Sequence, residues 1–495
     1  MLLGNDTKIM ADRLEDIISN RKQKLDTIKK SGIDPYPSST DRSHTNKQAL
    51  DDFDSLADKT IVLAGRIRGF RDMGKIIFVH IDDGTAKIQI LLKSDDVGQD
   101  QFKFFLTNFD TGDFIEATGK LFKTKTGEKT LQATSYKLLA KSLLPLPSEH
   151  YGLADDETKL RRRYLDILLN PETKELFIRK AKFWNSFRQF LLEKNFLEVE
   201  MPVLEATVGG AEAKPFITHH NALGRDFYLR ISLELPLKKM LVAGYEKVFE
   251  IGRIFRNEGI DTEHLQDYTQ MEFYWAYGDF EKLMDFCREM YQFVIKETFG
   301  SLEITSRGQK VDWSGKWEKV SYVELFKKYT KIDLMSATDD ELKEYCDKNH
   351  VKYEDFSGRG RLIDLIFKKV REHIPSGKPV FLVDQPVELE PLAKRDPKNP
   401  KLVQRMQIFA YGTELGKGFG ELNDPQDQRA RFEEQMNLRK AGDVEAQMLD
   451  EDYIQAMEYG MPPAAGVGIS ERLFAVLADK SIRETVIFPP MKSEK

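Results

Sequence analysis

The sequence predicts an α+β protein in two parts, a small β-barrel followed by a larger antiparallel sheet flanked by helices. Three observations predict it. Residues 61–141 hold short β-rich runs separated by Gly-containing turns. Residues 248–258 and 268–275 alternate apolar and polar side chains on either side of a polar loop. Residues 174–195 carry apolar side chains at helical spacing, and further helical and strand-like stretches follow to the end of the chain.

Each element has its own signal. Leu14, Ile17, Ile18, Leu25 and Ile28 predict a helix over 10–31, stopped by Gly32 and Pro35. The Asp-, Ser-, Thr- and Pro-rich stretch to residue 58 reads as a linker. In 59–144 the runs Ile61–Ala64, Ile76–Ile81, Lys87–Leu92 and Phe114–Gly119 look all-β. Several strands in about 80 residues suit a five-stranded OB-fold barrel. Pro145, Pro147 and the polar residues beyond predict a hinge over 145–165. The second part, 166–495, opens on the helix at 174–195. Helix is expected at 279–300 and over most of 318–372, giving a helical insertion at about 300–376. Strands are expected over 379–422, helix over 426–459 and again from about 470 to 480.

Composition narrows the function classes. A chain of 495 residues, 41% hydrophobic and 32% charged, reads as soluble and globular. Its longest apolar runs, such as Ile88–Leu92, fall far short of the ~20 residues of a membrane span. Two cysteines, Cys287 and Cys346, exclude a disulfide framework and fit a cytoplasmic protein. The net charge of −6 argues against a polybasic nucleic-acid binder. The charge is uneven, however: residues 1–150 carry 23 Lys/Arg and 22 Asp/Glu, so the acidic excess lies in the rest. Basic clusters at Arg21–Lys30, Lys120–Lys141 and Lys159–Arg163 are candidate seats for a nucleic-acid backbone, or else solvated surface.

Three patches carry chemistry. The 248–275 hairpin has an apolar back of Phe249, Ile251, Met271 and Phe273. Its front gathers Glu250, Arg256, Glu258, Tyr268, Glu272 and Tyr274. A solvated sheet face is the bland reading, but large rings among charges suit stacking, and an Arg beside Asn257-Glu258-Gly259 suits an anion. In the second patch, Thr413–Asp424, Lys417, Phe419 and Glu421 share one strand face. Gly416, Gly418 and Gly420 leave the other bare, open to close approach. The third, Gly466–Arg472, reads as a Gly-x-Gly turn opening a helix, a place for phosphate or simply a turn with a surface Arg.

These patches, in this order, resemble the motifs of class II aminoacyl-tRNA synthetases. From about residue 15 to 491 the chain is similar to the class II lysyl-tRNA synthetases. The most specific stretches are Phe196–Pro202, Gly209–Ala211, Lys214–Ala222, Val248–Gly259, Met271–Tyr274, Glu421–Asp424, Asp450–Tyr453 and Gly119–Glu128.

The resemblance implies an OB-fold that binds the tRNA anticodon, a catalytic antiparallel sheet, and a homodimer formed around 196–202. It implies ligation of L-lysine to tRNA(Lys) through a lysyl-adenylate, with ATP as substrate and Mg²⁺ as cofactor. Residue by residue, it makes Arg256 and Arg472 the catalytic cations. Gly210, Glu234, Arg256, Glu272, Tyr274, Lys417, Phe419 and Glu421 surround lysine, with Glu421 and Tyr274 at the ε-ammonium and Glu234 and Glu272 at the α-ammonium. Arg256, Glu258, His264, Tyr268, Glu414 and Arg472 attend ATP, and Glu414 is a metal ligand. Arg71, Phe78 and Gln89 meet the anticodon.

Four positions depart from the pattern. Gln407 stands for a second metal-binding carboxylate, Lys417 for an Asn, and Glu263 for an Arg beside His264, while the third motif, 466–490, is one residue short at Ser470-Glu471-Arg472. An aspartate- or asparagine-specific relative, or an RNA-binding paralogue without ligase activity, stand as alternatives.

Overall fold

In a computed structural model five strands close a barrel: β1 (Ile61–Asp72), β2 (Ile76–Asp82), β3 (Lys87–Lys93), β4 (Phe114–Lys123) and β5 (Lys129–Ala140). Their order is β1-β2-β3-β5-β4, antiparallel except for the β3–β5 pair. Alternation puts Ile77, Val79 and Ile81 of β2 and Ile88, Ile90 and Leu92 of β3 inside. The structure describes all residues but 1–2, 148–152, 154, 260–263, 355–356, 444 and 494–495, and no side chain before residue 14. The chain divides into two compact units, 1–152 and 153–495.

The first unit is less purely β than expected. A helix, Gln99–Asn108, lies between β3 and β4 and buries Phe102 and Phe105. The stretch read as a linker holds two short helices, Asn46–Asp51 and Phe53–Leu56. Thr45 and Gln48 form a capping box there, and Ala49, Phe53 and Leu56 join the barrel core. The N-terminal helix, α1 (Leu3–Lys30), places Arg21 against the carbonyls of Thr111, Ser142 and Leu144. In the second unit, helix also enters the stretch read as a hinge, from Asp156 to Arg161 and from Arg163 onward.

The second unit is built on an eight-stranded sheet. Its strands are β6 (Leu197–Glu198), β7 (Lys247–Phe255), β8 (Asp267–Ala276), β9 (Glu318–Ser321), β10 (Val380–Val383), β11 (Arg405–Ala410), β12 (Thr413–Gly420) and β13 (Ala464–Ser470). The order is β9-β10-β11-β12-β13-β8-β7-β6, antiparallel except for the parallel pairs at the two edges. The region read as a helical insertion therefore gives the sheet an edge strand, β9, and also holds a hairpin, Glu303–Ser306 with Gln309–Asp312. The helix expected over 426–459 is two, Pro425–Ala441 and Glu451–Glu458.

Two helices cover one face of this sheet, Pro171–Glu193 and Phe280–Phe299. Asn170 caps the first, accepting from the Glu172 N–H, with Pro171 at its start. Phe183, Phe187, Phe190 and Leu191 recur at helical spacing and pack against Phe249, Met271 and Phe273. The opposite face of the hairpin is not solvated. Val248, Ile254, Tyr268 and Tyr274 lie in a second core with Leu235, Leu237, Phe432 and Tyr453. The polar groups between them are therefore buried, which makes their partners informative.

Candidate active site

A short helix, α2 (Glu234–Val242), packs on the polar face of the hairpin through Leu235, Leu237 and Leu241. Glu234 and Lys238 stand one turn apart, with Lys238 Nζ 2.6 Å from Glu234 Oε1. Nζ also pairs with Oε2 of Glu421, just past the end of β12. It lies 5.6 Å from the ring centroid of Tyr274 and 6.0 Å from that of Phe419. Oε1 of Glu421 is buried without a hydrogen-bond partner among the described residues. Such an acceptor is costly unless a donor arrives. Opposite it, a Cβ on Gly466 would come within 2.4 Å of the Tyr274 ring and 2.8 Å of that oxygen, so the glycine keeps the space open.

Burial lifts Glu234 and Glu421 above the ordinary carboxylate range, with Lys238 opposing the shift. Burial works against the charge of Lys238, but the two carboxylates overcome it and hold the ammonium charged. Glu272 is saturated by neutral donors. Its Oε1 accepts from Ser232 Oγ at 2.9 Å, the Leu233 N–H at 3.0 Å and Gln270 Nε2 at 2.5 Å. Its Oε2 accepts from the Tyr274 hydroxyl at 2.8 Å. Burial pushes Tyr274 far up, so the phenol stays protonated and keeps donating to Glu272. Gly210 closes the pocket at φ 82°, where a Cβ would sit 2.9 Å from the Cβ atoms of Glu234 and Ser232.

Gly210, Glu234, Arg256, Glu272, Tyr274, Lys417 and Phe419 line a cavity of about 30 Å³. Arg256 and Lys417 also line a cavity of about 820 Å³, with Glu414 and Gln407, and so stand at the junction of the two. Arg256 Nε donates to the Ile231 carbonyl at 3.2 Å, and its guanidinium lies 5.7 Å from the Tyr268 ring centroid. Tyr268 is raised by burial, and the charges of Arg256, Glu258 and Arg472 act on it. Nε of Arg472 is buried without a partner among the described residues. Of the sequence-derived set, Gly210, Glu234, Arg256, Glu272, Tyr274, Glu414, Lys417 and Phe419 line one or both cavities, whereas Glu258, His264, Tyr268, Glu421 and Arg472 line neither; His264 is exposed. Glu263 lies outside the described residues.

Several details differ from expectation. Gly466–Ser470 is strand β13, and the helix starts only at Arg472 and runs six residues, so no phosphate loop opens it. The bare face of β12 meets protein, not ligand: Tyr291 Oη lies over Gly416, the Gly466 carbonyl over Gly418 and Gln404 over Gly420. Glu250 lies on the same sheet face as its cross-strand neighbour Glu272 but is occupied by Arg230 at 2.7 Å and lines neither cavity. Gln407 donates its amide to Oε2 of Glu414. No cluster of three or more His, Cys, Asp or Glu fit for a metal occurs among the described residues. One carboxylate is still enough for Mg²⁺, which one or two carboxylates and substrate phosphates commonly hold. The sequence reading missed Lys238, Ser232 and Glu390, and alternation put Gln270 on the polar face of the hairpin without giving it a role. Of the three missed, only Lys238 had a signal, a charge four residues from Glu234 in a Leu-rich helix.

On the barrel, Phe78 points outward from β2 and is half-buried, with the exposed Arg71 of β1 directly opposite. Gln89 also faces outward, but its amide is occupied. It donates to Glu128 at 2.8 Å and accepts from Thr130 Oγ1 at 2.8 Å. The basic clusters are partly internal. Lys141 is buried between Asp110 and Asp113, and Arg163 pairs with Asp166 at 2.8 Å.

A sheet of this order, with arginines on a buried tyrosine and carboxylates in a closed pocket, is the architecture of the class II synthetases. The family model described as "tRNA synthetases class II (D, K and N)" matches residues 155–492, and one described as "OB-fold nucleic acid binding domain" matches 61–139. Lysine–tRNA ligase of Carboxydothermus hydrogenoformans is 44% identical, covering 97% of this chain and 98% of its own. Those of Pelotomaculum thermopropionicum and Bacillus subtilis are 43% and 39% identical, each over 97% of this chain and 95% and 98% of their own. The chain belongs to the lysine–tRNA ligases of class II.

Proposed function

We propose that this chain joins L-lysine to tRNA(Lys) in two steps, forming lysyl-adenylate from ATP and then passing the lysyl group to the tRNA. The observation that carries the lysine reading is Glu421 Oε1, a buried acceptor without a donor, facing Tyr274 across the space Gly466 leaves. It takes the side-chain ammonium, while Glu234 and Glu272 face the α-ammonium. Around the end of the pocket that takes the side chain stand Glu421, Glu234 and Glu272 with Lys238 between the first two, the wrong surroundings for an aspartate side chain, while Lys417 is offset by Glu390.

Arg256, at the junction of the two cavities, holds the lysine carboxylate against the α-phosphate in a fixed fork. That carboxylate is ionised at neutral pH, so the step needs alignment and charge stabilisation rather than a general base. Tyr268 stacks on adenine, Arg472 holds the far phosphates, and Glu258 and His264 complete the ATP contacts. Glu414 would hold Mg²⁺, which would neutralise phosphate charge there.

Phe78 stacks on an anticodon base with Arg71 beside it, while Gln89 reads a base only if Glu128 releases its amide. The working form is a homodimer around 196–202, where Leu197, Val203 and Leu204 are exposed apolar side chains. The buried, unpaired cysteines suit the cytoplasm, and no described helix is long and apolar enough to cross a membrane.

Charging of total tRNA with labelled lysine by wild type and Glu421→Gln tests the reading. Loss of an ionic partner at a buried site is expected to cost at least ~2 kcal/mol in kcat/KM for lysine. An unchanged value refutes the pocket.

A further inference from the structure

We propose that Lys238 is a specificity-determining residue: its ammonium ties Glu234 to Glu421 and so sets the spacing of the two carboxylates that meet the substrate's two amino groups. This rests on the lysine pocket described above.

The two carboxylates come from distant parts of the chain, one from the start of α2 and the other from just past the end of β12. The Glu421 backbone is held by its N–H to the Ala464 carbonyl, and the gap between the two carboxylate groups is spanned by Lys238, with Nζ 2.6 Å from Glu234 and paired to Glu421, fully buried. The rings of Tyr274 and Phe419 bound it on two sides. A short, desolvated bridge of this kind cannot stretch without breaking an ion pair. The arrangement suits a diamino acid: Lys238 bridges Glu234 and Glu421, Glu272 stands beside them, and Lys417 is offset by Glu390. The α-carboxylate is left to Arg256. Lys238 is thus a positioning residue; it acts through the carboxylates and need not touch the substrate.

The consequence is a ruler for chain length. Ornithine, one methylene shorter than lysine, satisfies one carboxylate but not both. An apolar pocket discriminates a missing methylene by about 10–200-fold. Two fixed carboxylates sharpen this, because the mismatched ligand leaves a buried charge unpaired.

The test compares kcat/KM for lysine and ornithine, by amino-acid-dependent pyrophosphate exchange, in wild type, Lys238→Met and Lys238→Arg. The lysine-to-ornithine ratio is expected to fall by about tenfold or more in both variants. The change should fall mainly on KM, with KM for ATP unaltered. A structural role alone lowers both substrates together, so a preserved ratio overturns the proposal. If Lys238→Met does not fold, Lys238→Arg, which keeps the charge but alters the reach, decides alone. Glu421→Gln separates the two levels. If it leaves KM for lysine unchanged, the pocket reading itself fails. If it abolishes lysine binding while the Lys238 variants keep the ratio, only the ruler fails.

Discussion

Lys417 Nζ lies 3.3 Å from Glu390 Oε2, and Arg405 Nε stands 3.8 Å from the same oxygen. Burial works to raise the Glu390 carboxyl, but the two cations hold it below the ordinary range. Lys417 is half-buried, and Glu390 keeps it charged. Without Glu390, the Lys417 charge would face the incoming ammonium groups of lysine uncompensated. Glu390→Gln is therefore expected to raise KM for lysine by about tenfold, or roughly 1.4 kcal/mol. That sits below the 3–5 kcal/mol typical of a broken buried pair, because the Lys417 side chain is 35% exposed. Adding Lys417→Asn should restore most of the loss. Additive effects in this double-mutant cycle would show that the two side chains do not act as a pair.

The amide of Gln407 caps Glu414 where a carboxylate would compete with it for a cation. Gln407 and Lys417 face each other across β11 and β12. One neutral and one positive group here leave Glu414 as the only carboxylate of the three. Titration of the ATP complex with Mn²⁺, followed by electron paramagnetic resonance, is expected to show less tightly held metal than in Gln407→Glu. Equal stoichiometry and affinity in the two proteins would refute this.

The lysine pocket should be pH-sensitive in a defined direction. Burial raises Glu421, with Glu234 and Glu390 reinforcing the shift and Lys238 opposing it. Below its raised value Glu421 is a neutral carboxyl, which cannot pair with an ammonium. Lysine affinity is therefore expected to weaken as pH falls, starting above the value of about 4.3 for an ordinary glutamate. Kd for lysine measured across neutrality checks this. Glu421→Gln should bind weakly at every pH, and an identical slope in that variant would assign the titration elsewhere.

What the sequence made legible follows its short-range periodicities. The pleat has period two, so the hairpin at 248–275 and the outward face of Phe78 could be read directly. Non-local pairing left no such trace. The edge strand Glu318–Ser321 pairs with Val380–Val383, far along the chain, and carries too short a run to be distinguished from the helices around it. Occupancy was invisible for the same reason. Alternation put Gln89 on the outer face, but not Glu128 and Thr130 against its amide. The glycines of β12 signalled a close approach, and the sequence could not say that Tyr291 makes it. Charge clusters misled most, because a run of lysines does not reveal which of them is internal.

Lys141 and Phe78 make that last distinction measurable. Lys141 belongs to the basic run 120–141, yet its side chain is fully buried against Asp113, with Asp110 2.5 Å away. Removing it strands Asp113, while Asp110 keeps Lys24 at 2.7 Å. Lys141→Met is expected to destabilise the barrel by about 3–5 kcal/mol, the usual cost of breaking a buried pair. It should not change the salt dependence of tRNA binding at temperatures where the variant remains folded. Phe78→Ala should do the opposite. The ring is half-buried on the outer face, so stability changes little, while loss of a stacking platform weakens tRNA binding by about 1–3 kcal/mol. Lysine-dependent pyrophosphate exchange, which involves no tRNA, should stay at the wild-type level in Phe78→Ala. Thermal melts and tRNA filter binding on the two variants separate the roles. A Lys141→Met protein that melts like wild type but binds tRNA with a shallower salt slope would place Lys141 on the RNA surface instead of in the core.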